Sequence, residues 1–230
     1  MIALYSYPEL FGVADNNPFG LKVFAFLKLT GVAFEQRQVF DASSAPRGQL
    51  PYIVDGGQTI GDSDTIIDHV IRSRGLAIDA SLGPAQRDLD HMVSRTLDDL
   101  YWVMSYSRWH DERFWPRFRA ALLDTHPQLT GEALEQAKDY NAKRYYYQGI
   151  GRFEPEQAYA RGLADLQVVA NLLGDQAFLF GDAAHGVDAG TYGFLANIHF
   201  YDIDTPLKAF VQTHPRLVDY CERLHSLVMR

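Results

Sequence analysis

Residues 48–67 read GQLPYIVDGGQTIGDSDTII. A short apolar run, Tyr52-Ile53-Val54, is followed by Gly56-Gly57 and then Thr59-Ile60, the pattern of a tight β-hairpin. A helix opens at Ser63 or Asp64 and runs to about Arg74, with Ile66, Ile67, Val70 and Ile71 on its inner side. Two dipeptides stand outside that pattern. Leu50-Pro51 precedes the first strand, and Asp62-Ser63 precedes the helix. Read alone, Pro51 opens an edge strand through a trans bond, and Ser63 caps the helix start.

Upstream, Ile2-Ala3-Leu4-Tyr5-Ser6-Tyr7 is a short buried strand ended by Pro8, with the loop ELFGVADN after it. NPFGLKVFAFLKLTG then marks both ends of a helix. Asn17 suits the cap, Pro18 the first helical position and Gly31 the residue beyond the last turn. Ala33 to Phe40 reads as a second strand. Downstream the period becomes helical from Leu82. Helices are expected at Ala85–Ser107, Glu112–Leu123, Glu132–Gln148, Pro155–Leu173, Asp188 to about Tyr201, and Pro215–Val228. Ala77-Ile78-Asp79-Ala80-Ser81 is the expected linker. The layout is a small α/β domain over residues 1–76 and an all-helical domain over residues 82–230.

Composition excludes several function classes. Of 230 residues, 47% are apolar and 13% aromatic, enough for a sizeable core. The net charge is −8, with no cluster of Lys and Arg of the kind a nucleic-acid face needs. No apolar run approaches the roughly 18 residues of a membrane span. The one cysteine, Cys221, permits no internal disulfide, and with no secretory region at the N-terminus a cytoplasmic location is expected. The eight histidines show no metal-ligand spacing, and His110-Asp111-Glu112 reads as solvated surface.

GQLPYIVDGG and IGDSDTII resemble the glutathione-binding motifs of glutathione S-transferases. DNNPFGLKVFAFLKLTGVAFE, LYWVMSYSRW, QGIGRFEPEQ, FLFGDAAHGVDAGTYGFLA and HPRLVDYCERL resemble more narrowly the bacterial members allied to the failed-axon-connections and metaxin branch. The resemblance implies a thioredoxin-like N-terminal domain, an all-α C-terminal domain and glutathione as co-substrate. It implies that Pro51 is cis and that the Leu50 backbone pairs with the tripeptide like an added strand. Gln49 then offers its amide, Ser63 meets the γ-glutamyl carboxylate and Asp62 its ammonium. It also implies a symmetric homodimer. In the late motif Asp188 is a helix-capping residue, and His185 stands where a Ser or Thr is usual, which weakens the reciprocal cap.

Asn17-Pro18-Phe19-Gly20 occupies the place where glutaredoxin-like relatives carry Cys-Pro-aromatic-Cys. Without those sulfurs, dithiol exchange is excluded here. A helix start favours an anion such as a thiolate, and Asn17 either donates its amide to that sulfur or only caps the helix. Tyr7, at the strand end, is the tyrosine candidate for thiolate stabilisation. The aromatics Tyr101, Trp102, Tyr106 and Trp109 with Arg108, and Tyr145-Tyr146-Tyr147, either line a pocket for an apolar second substrate or pack between helices. Two functions fit: a transferase joining the glutathione thiol to a small apolar electrophile without a catalytic cysteine, or a non-catalytic binding or assembly protein of the same fold.

Overall fold

A computed structural model describes residues 1–230. Its sheet has four strands, β1 (Ile2–Ser6), β2 (Phe34–Gln38), β3 (Tyr52–Asp55) and β4 (Gln58–Gly61), in the order β2-β1-β3-β4. β1 and β2 run parallel; β3 is antiparallel to both β1 and β4. A parallel pair needs a crossover, and the helix α1 (Pro18–Leu29) supplies it. α2 (Ser63–Arg74) follows β4 and ends at Gly75, whose φ of +62° no L-residue adopts without strain. This is the thioredoxin-like arrangement that the resemblance implied.

Apart from Lys22, which pairs with Asp64, and Lys28, α1 is apolar all round, and Gly20 through Leu27 are all buried. A helix of that kind needs cover on every side. The sheet with α2 covers one side and α7 (Gly186–His199) the other. α7 is buried from Val187 to Ile198 for the same reason. The two helices approach closely at Gly193, where an added Cβ would stand 2.5 Å from the Pro18 carbonyl oxygen and 2.9 Å from the Lys22 backbone nitrogen. One hydrophobic core therefore runs from Ile2, Leu4 and Ile53 of the sheet through α1 to Tyr192, Tyr220 and Leu224.

The other helices are α3 (Pro84–Trp109), α4 (Trp115–Thr125), α5 (Gly131–Gln148), α6 (Pro155–Leu173), α8 (Pro206–Gln212) and α9 (Pro215–Val228). Three departures from the expected elements have local causes. α4 begins three residues late because Phe114 and Trp115 donate their N–H groups to the Asp111 carbonyl, closing a turn first. α8 was not expected at all; Thr205 caps it and Pro206 opens it. β2 stops at Gln38, and Val39 makes only one further bond, to the Ser6 carbonyl. No helix is long and apolar enough to cross a membrane.

Candidate functional site

Register brings the sequence candidates to one end of the sheet. Tyr5 lies opposite Tyr52, and Tyr52 opposite Gly61. The Tyr5 and Tyr52 rings stack at 4.3 Å and 7°. One step beyond that row, β1 leaves toward Tyr7, Pro51 enters β3, and β4 leaves through Asp62. Both α1 and α2 start at this end, so two helix N-termini with free N–H groups gather there. The Leu50–Pro51 bond is cis.

Asp62, not Ser63, takes the cap of α2. Its φ of +76° swings the carboxylate back, and Oδ1 accepts from the Thr65 N–H at 3.1 Å and the Thr65 hydroxyl at 3.0 Å. Oδ2 faces Arg47 at 3.6 Å. A carboxylate has about four acceptor sites, so this half-exposed group retains capacity for an ammonium. Ser63 is the first helical residue and buried, and its hydroxyl bonds to no other protein group. Arg47, itself at φ +60°, also donates to the Gln49 side-chain oxygen at 3.3 Å. Sequence reasoning missed Arg47, since a lone arginine between Pro46 and Gly48 carries no periodic signal. It supplies the cation that this cluster otherwise lacks.

Asn17 caps α1. Its Oδ1 accepts from the Phe19 N–H at 3.0 Å. A backbone N–H can only donate, so the amide oxygen must face it, and the NH2 group makes no protein hydrogen bond. The two alternatives for Asn17 are therefore compatible within one side chain. Asp15 sits behind it, fully buried, and accepts from the Asn17 N–H at 2.7 Å. Burial pushes the Asp15 carboxyl well above the ordinary carboxylate range, against the lowering effect of that bond. Its second oxygen has no partner and fills the space where a Cβ on Gly20 would stand. Arg108 and Asn197 clamp the segment. Arg108 donates to the Asn16 carbonyl at 2.7 Å and the Asn197 carbonyl at 2.6 Å, and Asn197 donates to the Asp15 carbonyl at 3.1 Å.

Tyr7 and Asn17 open onto a cavity of about 540 Å³. One wall is the Tyr7–Pro8 and Asn16–Pro18 segments with Phe40 and Asp41; the rest comes from α3, α4, α5 and Leu129 between the last two. Burial pushes the Tyr7 hydroxyl up to about 12, so it stays protonated and can only donate to an anion. Of the expected aromatics, Tyr101 and Trp109 line the cavity, together with Arg108. Trp102, Tyr106 and Tyr145 pack between helices, and Tyr146 and Tyr147 are exposed. Met104, Leu122, Leu134, Tyr140 and Arg144 complete the wall and were not singled out in the sequence. Gln49, Leu50, Pro51, Asp62 and Ser63 are not among the lining residues, so the cavity and the cis-proline cluster are distinct parts of this end of the molecule.

Two sequence expectations need correction or detail. Asp111 is not solvated: it is buried, and its carboxylate accepts from Tyr159 at 2.8 Å and from Arg113 at 2.7 Å. Burial pushes this carboxyl up, but the bonds from Arg113 and Tyr159 outweigh it and hold the group below its ordinary value. Asp188 accepts from His185 N–H at 2.7 Å, Leu179 N–H at 3.0 Å and the Tyr220 hydroxyl at 2.7 Å. His185 returns no side-chain bond; its ring donates instead to the Ile78 carbonyl at 2.9 Å. Cys221 is buried, and burial pushes its thiol up, which leaves it a poor nucleophile. No group of three His, Cys, Asp or Glu side chains is placed to hold a metal ion.

Family comparison agrees with this architecture. The glutathione S-transferase N-terminal domain profile matches residues 18–114, and the C-terminal domain profile matches residues 162–224. An isoprene-epoxide glutathione S-transferase from Rhodococcus sp. (strain AD45) is 32% identical, with 98% of each chain covered. The chain belongs to the glutathione S-transferase family. Failed axon connections of Drosophila melanogaster is 25% identical over 97% of this chain, which spans 57% of that longer protein. Among solved structures, the β-etherase LigF from a Sphingobium strain superposes with a TM-score of 0.69 at 16% identity, covering 99% of this chain and 97% of that one. A family member from Pseudomonas fluorescens, with two glutathione molecules bound, gives 0.64 at 16% identity, covering 100% and 91%.

Proposed function

We propose that this protein binds glutathione at the cis-proline end of its sheet and transfers the thiol to a small, largely apolar electrophile in the adjoining cavity. The observation that carries the reading is the position of Asn17. It stands at the α1 start and lines a cavity of electrophile size, and α1 starts at the end of the sheet where Pro51 enters β3 and β4 leaves toward Ser63. Glutathione laid along Leu50 would carry its γ-glutamyl end to Ser63 and Asp62, with Gln49 and Arg47 near its other polar groups. Its sulfur would then lie over the α1 start, where the dipole and the Asn17 amide favour the thiolate. No covalent enzyme intermediate is needed; activation of sulfur and proximity supply the rate. The likeness to an isoprene-epoxide transferase supports an oxygen-containing electrophile. The homodimer and the cytoplasmic location belong to the same proposal: a C2 pairing is the commonest closed assembly, and a lone buried thiol suits a reducing compartment.

Calorimetric titration with glutathione tests the reading, followed by product analysis with electrophiles. Saturable binding and thioether formation are expected, with no disulfide reductase activity. Absence of glutathione binding at millimolar concentration would refute it. Sedimentation that shows only the 26.0 kDa monomer at micromolar concentration would refute the dimer.

A further inference from the structure

Two arginines line the cavity, and only one of them is spent. Arg108 uses its donors on Asn16 and Asn197. Arg144 of α5 is half-buried; its guanidinium donates to the Asn141 side-chain oxygen at 2.9 Å and pairs with no carboxylate. Asn141 is buried and donates in turn to the Ala137 carbonyl at 3.0 Å. The Trp102 and Tyr140 rings lie 5.2 Å and 5.8 Å from the guanidinium. Burial lowers the Arg144 guanidinium, but the neighbouring Tyr101 hydroxyl, with those of Tyr145 and Tyr140, holds it above its ordinary value. The group is therefore charged, held in place and short of a counter-charge. Asp41, the one acidic residue on the cavity wall, does not supply it: it is exposed and accepts from the Ser43 N–H and hydroxyl, each at 2.8 Å. A half-buried cation without a partner is costly, and most of the five donors of Arg144 remain open.

Neutral donors gather beside it. Tyr7 and Tyr101 line the same cavity, and neither hydroxyl donates to a protein acceptor. Burial first, then Tyr101 and Asp15, push the Tyr7 hydroxyl up to about 12, while Arg144 pulls it down. Tyr7, Tyr101 and Arg144 thus stand within electrostatic reach of one another. We propose that the ligand of this cavity is a small organic acid, whose carboxylate sits on the Arg144 guanidinium and accepts a second bond from the Tyr101 hydroxyl. Its apolar part would lie against Met104, Leu122 and Leu134, which line the same cavity. This rests on the reading of the cavity as the second-substrate pocket and narrows that substrate to electrophiles that carry a carboxylate. The planar guanidinium offers parallel N–H groups to a carboxylate, a charge-assisted pairing that a neutral amide or alcohol does not match. Pairing with Arg144 also cancels the repulsion that a free carboxylate would exert on a thiolate nearby. Tyr7 and Asn17 stay available to the sulfur.

The test titrates 4-phenylbutyrate and 4-phenylbutanamide, which share a shape and differ in head-group charge. Each is added to the unmodified protein, Arg144→Met, Arg144→Lys and Tyr101→Phe, first without glutathione and then with glutathione saturating. Calorimetry should show that the unmodified protein binds the acid about tenfold or more tightly than the amide. Arg144→Met should lose about tenfold or more of the acid affinity and little of the amide affinity. Arg144→Lys should keep part of the preference, and Tyr101→Phe should lose about fivefold on the acid alone. Saturating glutathione should leave the acid affinity nearly unchanged, since a second substrate shares the pocket with it. Equal affinity of the unmodified protein for acid and amide, or no binding of either at millimolar concentration, would overturn the proposal. So would an Arg144→Met variant that loses nothing, or that loses equally on both. Displacement of the acid by glutathione would overturn it too, by placing the acid on glutathione's own contacts. The comparison of acid with amide needs no variant, so it decides even where a variant folds poorly. Failure to bind glutathione would remove the transferase reading, whereas the titrations without glutathione still read the Arg144 site by itself.

Discussion

Asn17 spends only one end of its amide within the protein. The oxygen caps α1 through the Phe19 N–H, which leaves the NH2 group for the sulfur of the proposed glutathione site. Asn17→Ala removes both, so it should cost about 0.5–2 kcal/mol of stability, the usual worth of such a cap, and raise the pKa of bound glutathione. Asn17→Asp separates the roles. The carboxylate still caps, but it cannot donate and sets a like charge beside the thiolate. Stability should be kept and the thiol pKa should rise further; thiolate absorbance against pH, beside thermal denaturation, measures both. An unmoved pKa in Asn17→Asp would leave Asn17 as a cap alone. Ser63→Ala should weaken glutathione binding by about 1–3 kcal/mol, because a polar group of the ligand loses its partner; equal affinity by calorimetry would remove Ser63 from the site. Pro51, Ser63 and Asn17 stood out as candidates through the motifs that resemble the family's, since read alone each is an ordinary residue of an element boundary. Arg47 and Arg144 did not, since single arginines in polar stretches are ordinary until the fold sets them beside a cluster or in a cavity.

At the scale of elements, the start of α7 shows how one carboxylate organises three segments. Asp188 meets the N-cap N–H, the Leu179 N–H before the helix and the Tyr220 hydroxyl of α9. Asp188→Ala leaves three buried donors unpaired, so the loss should exceed that of a simple cap, about 3 kcal/mol or more. Asp188→Asn, which keeps one acceptor oxygen, should fall between. A thermal midpoint unchanged in Asp188→Ala would contradict this account. A second carboxylate gives a pH signature. Half-buried Asp165 of α6 has one oxygen without a partner, and burial first, then the nearby Asp99, pushes its carboxyl up to about 6 from 3.8. A raised acid pKa means the folded state binds more protons, so this group's contribution to stability falls as pH rises from about 4 to about 6. Asp165→Asn should therefore raise the thermal midpoint near neutral pH, and the gain should vanish near pH 4. A gain of equal size at both pH values would rule out the titration as its cause. Element ends of this kind were partly legible. Asn17-Pro18 and Gly31 bracketed α1, whereas Thr205-Pro206 carried the same start signal before a helix of only seven residues, too short for its periodicity to show.

At the scale of the molecule, the cavity exists because α3, α4 and α5 bring residues 101–144 against Tyr7, nearly a hundred positions away in sequence. Periodicity announces which face of a helix is apolar but not which distant segment will meet it, so the two-domain plan was readable and the pocket wall was not. The two ends of the chain's plan meet where α1 packs on α7. Both helices are buried along nearly their whole length, and at Gly193 the backbones come within contact distance. A methyl group there would press on the Pro18 carbonyl and the Lys22 backbone, neither of which yields as a flexible side chain would. Gly193→Ala must therefore push α1 away from α7 or bend its first turn. Overpacking of this kind costs about 1–3 kcal/mol, and here the displaced turn begins beside Asn17. The substitution lies outside the cavity and touches no proposed glutathione contact, yet it should lower the thermal midpoint and weaken glutathione activation together. Gly190, one turn earlier on α7, has only ordinary contacts, at 3.7 Å and beyond, for an added Cβ. Gly190→Ala should be close to neutral in both measurements and serves as the control. If Gly193→Ala proved as stable and as active as Gly190→Ala, the α1–α7 contact would not be what fixes the position of Asn17.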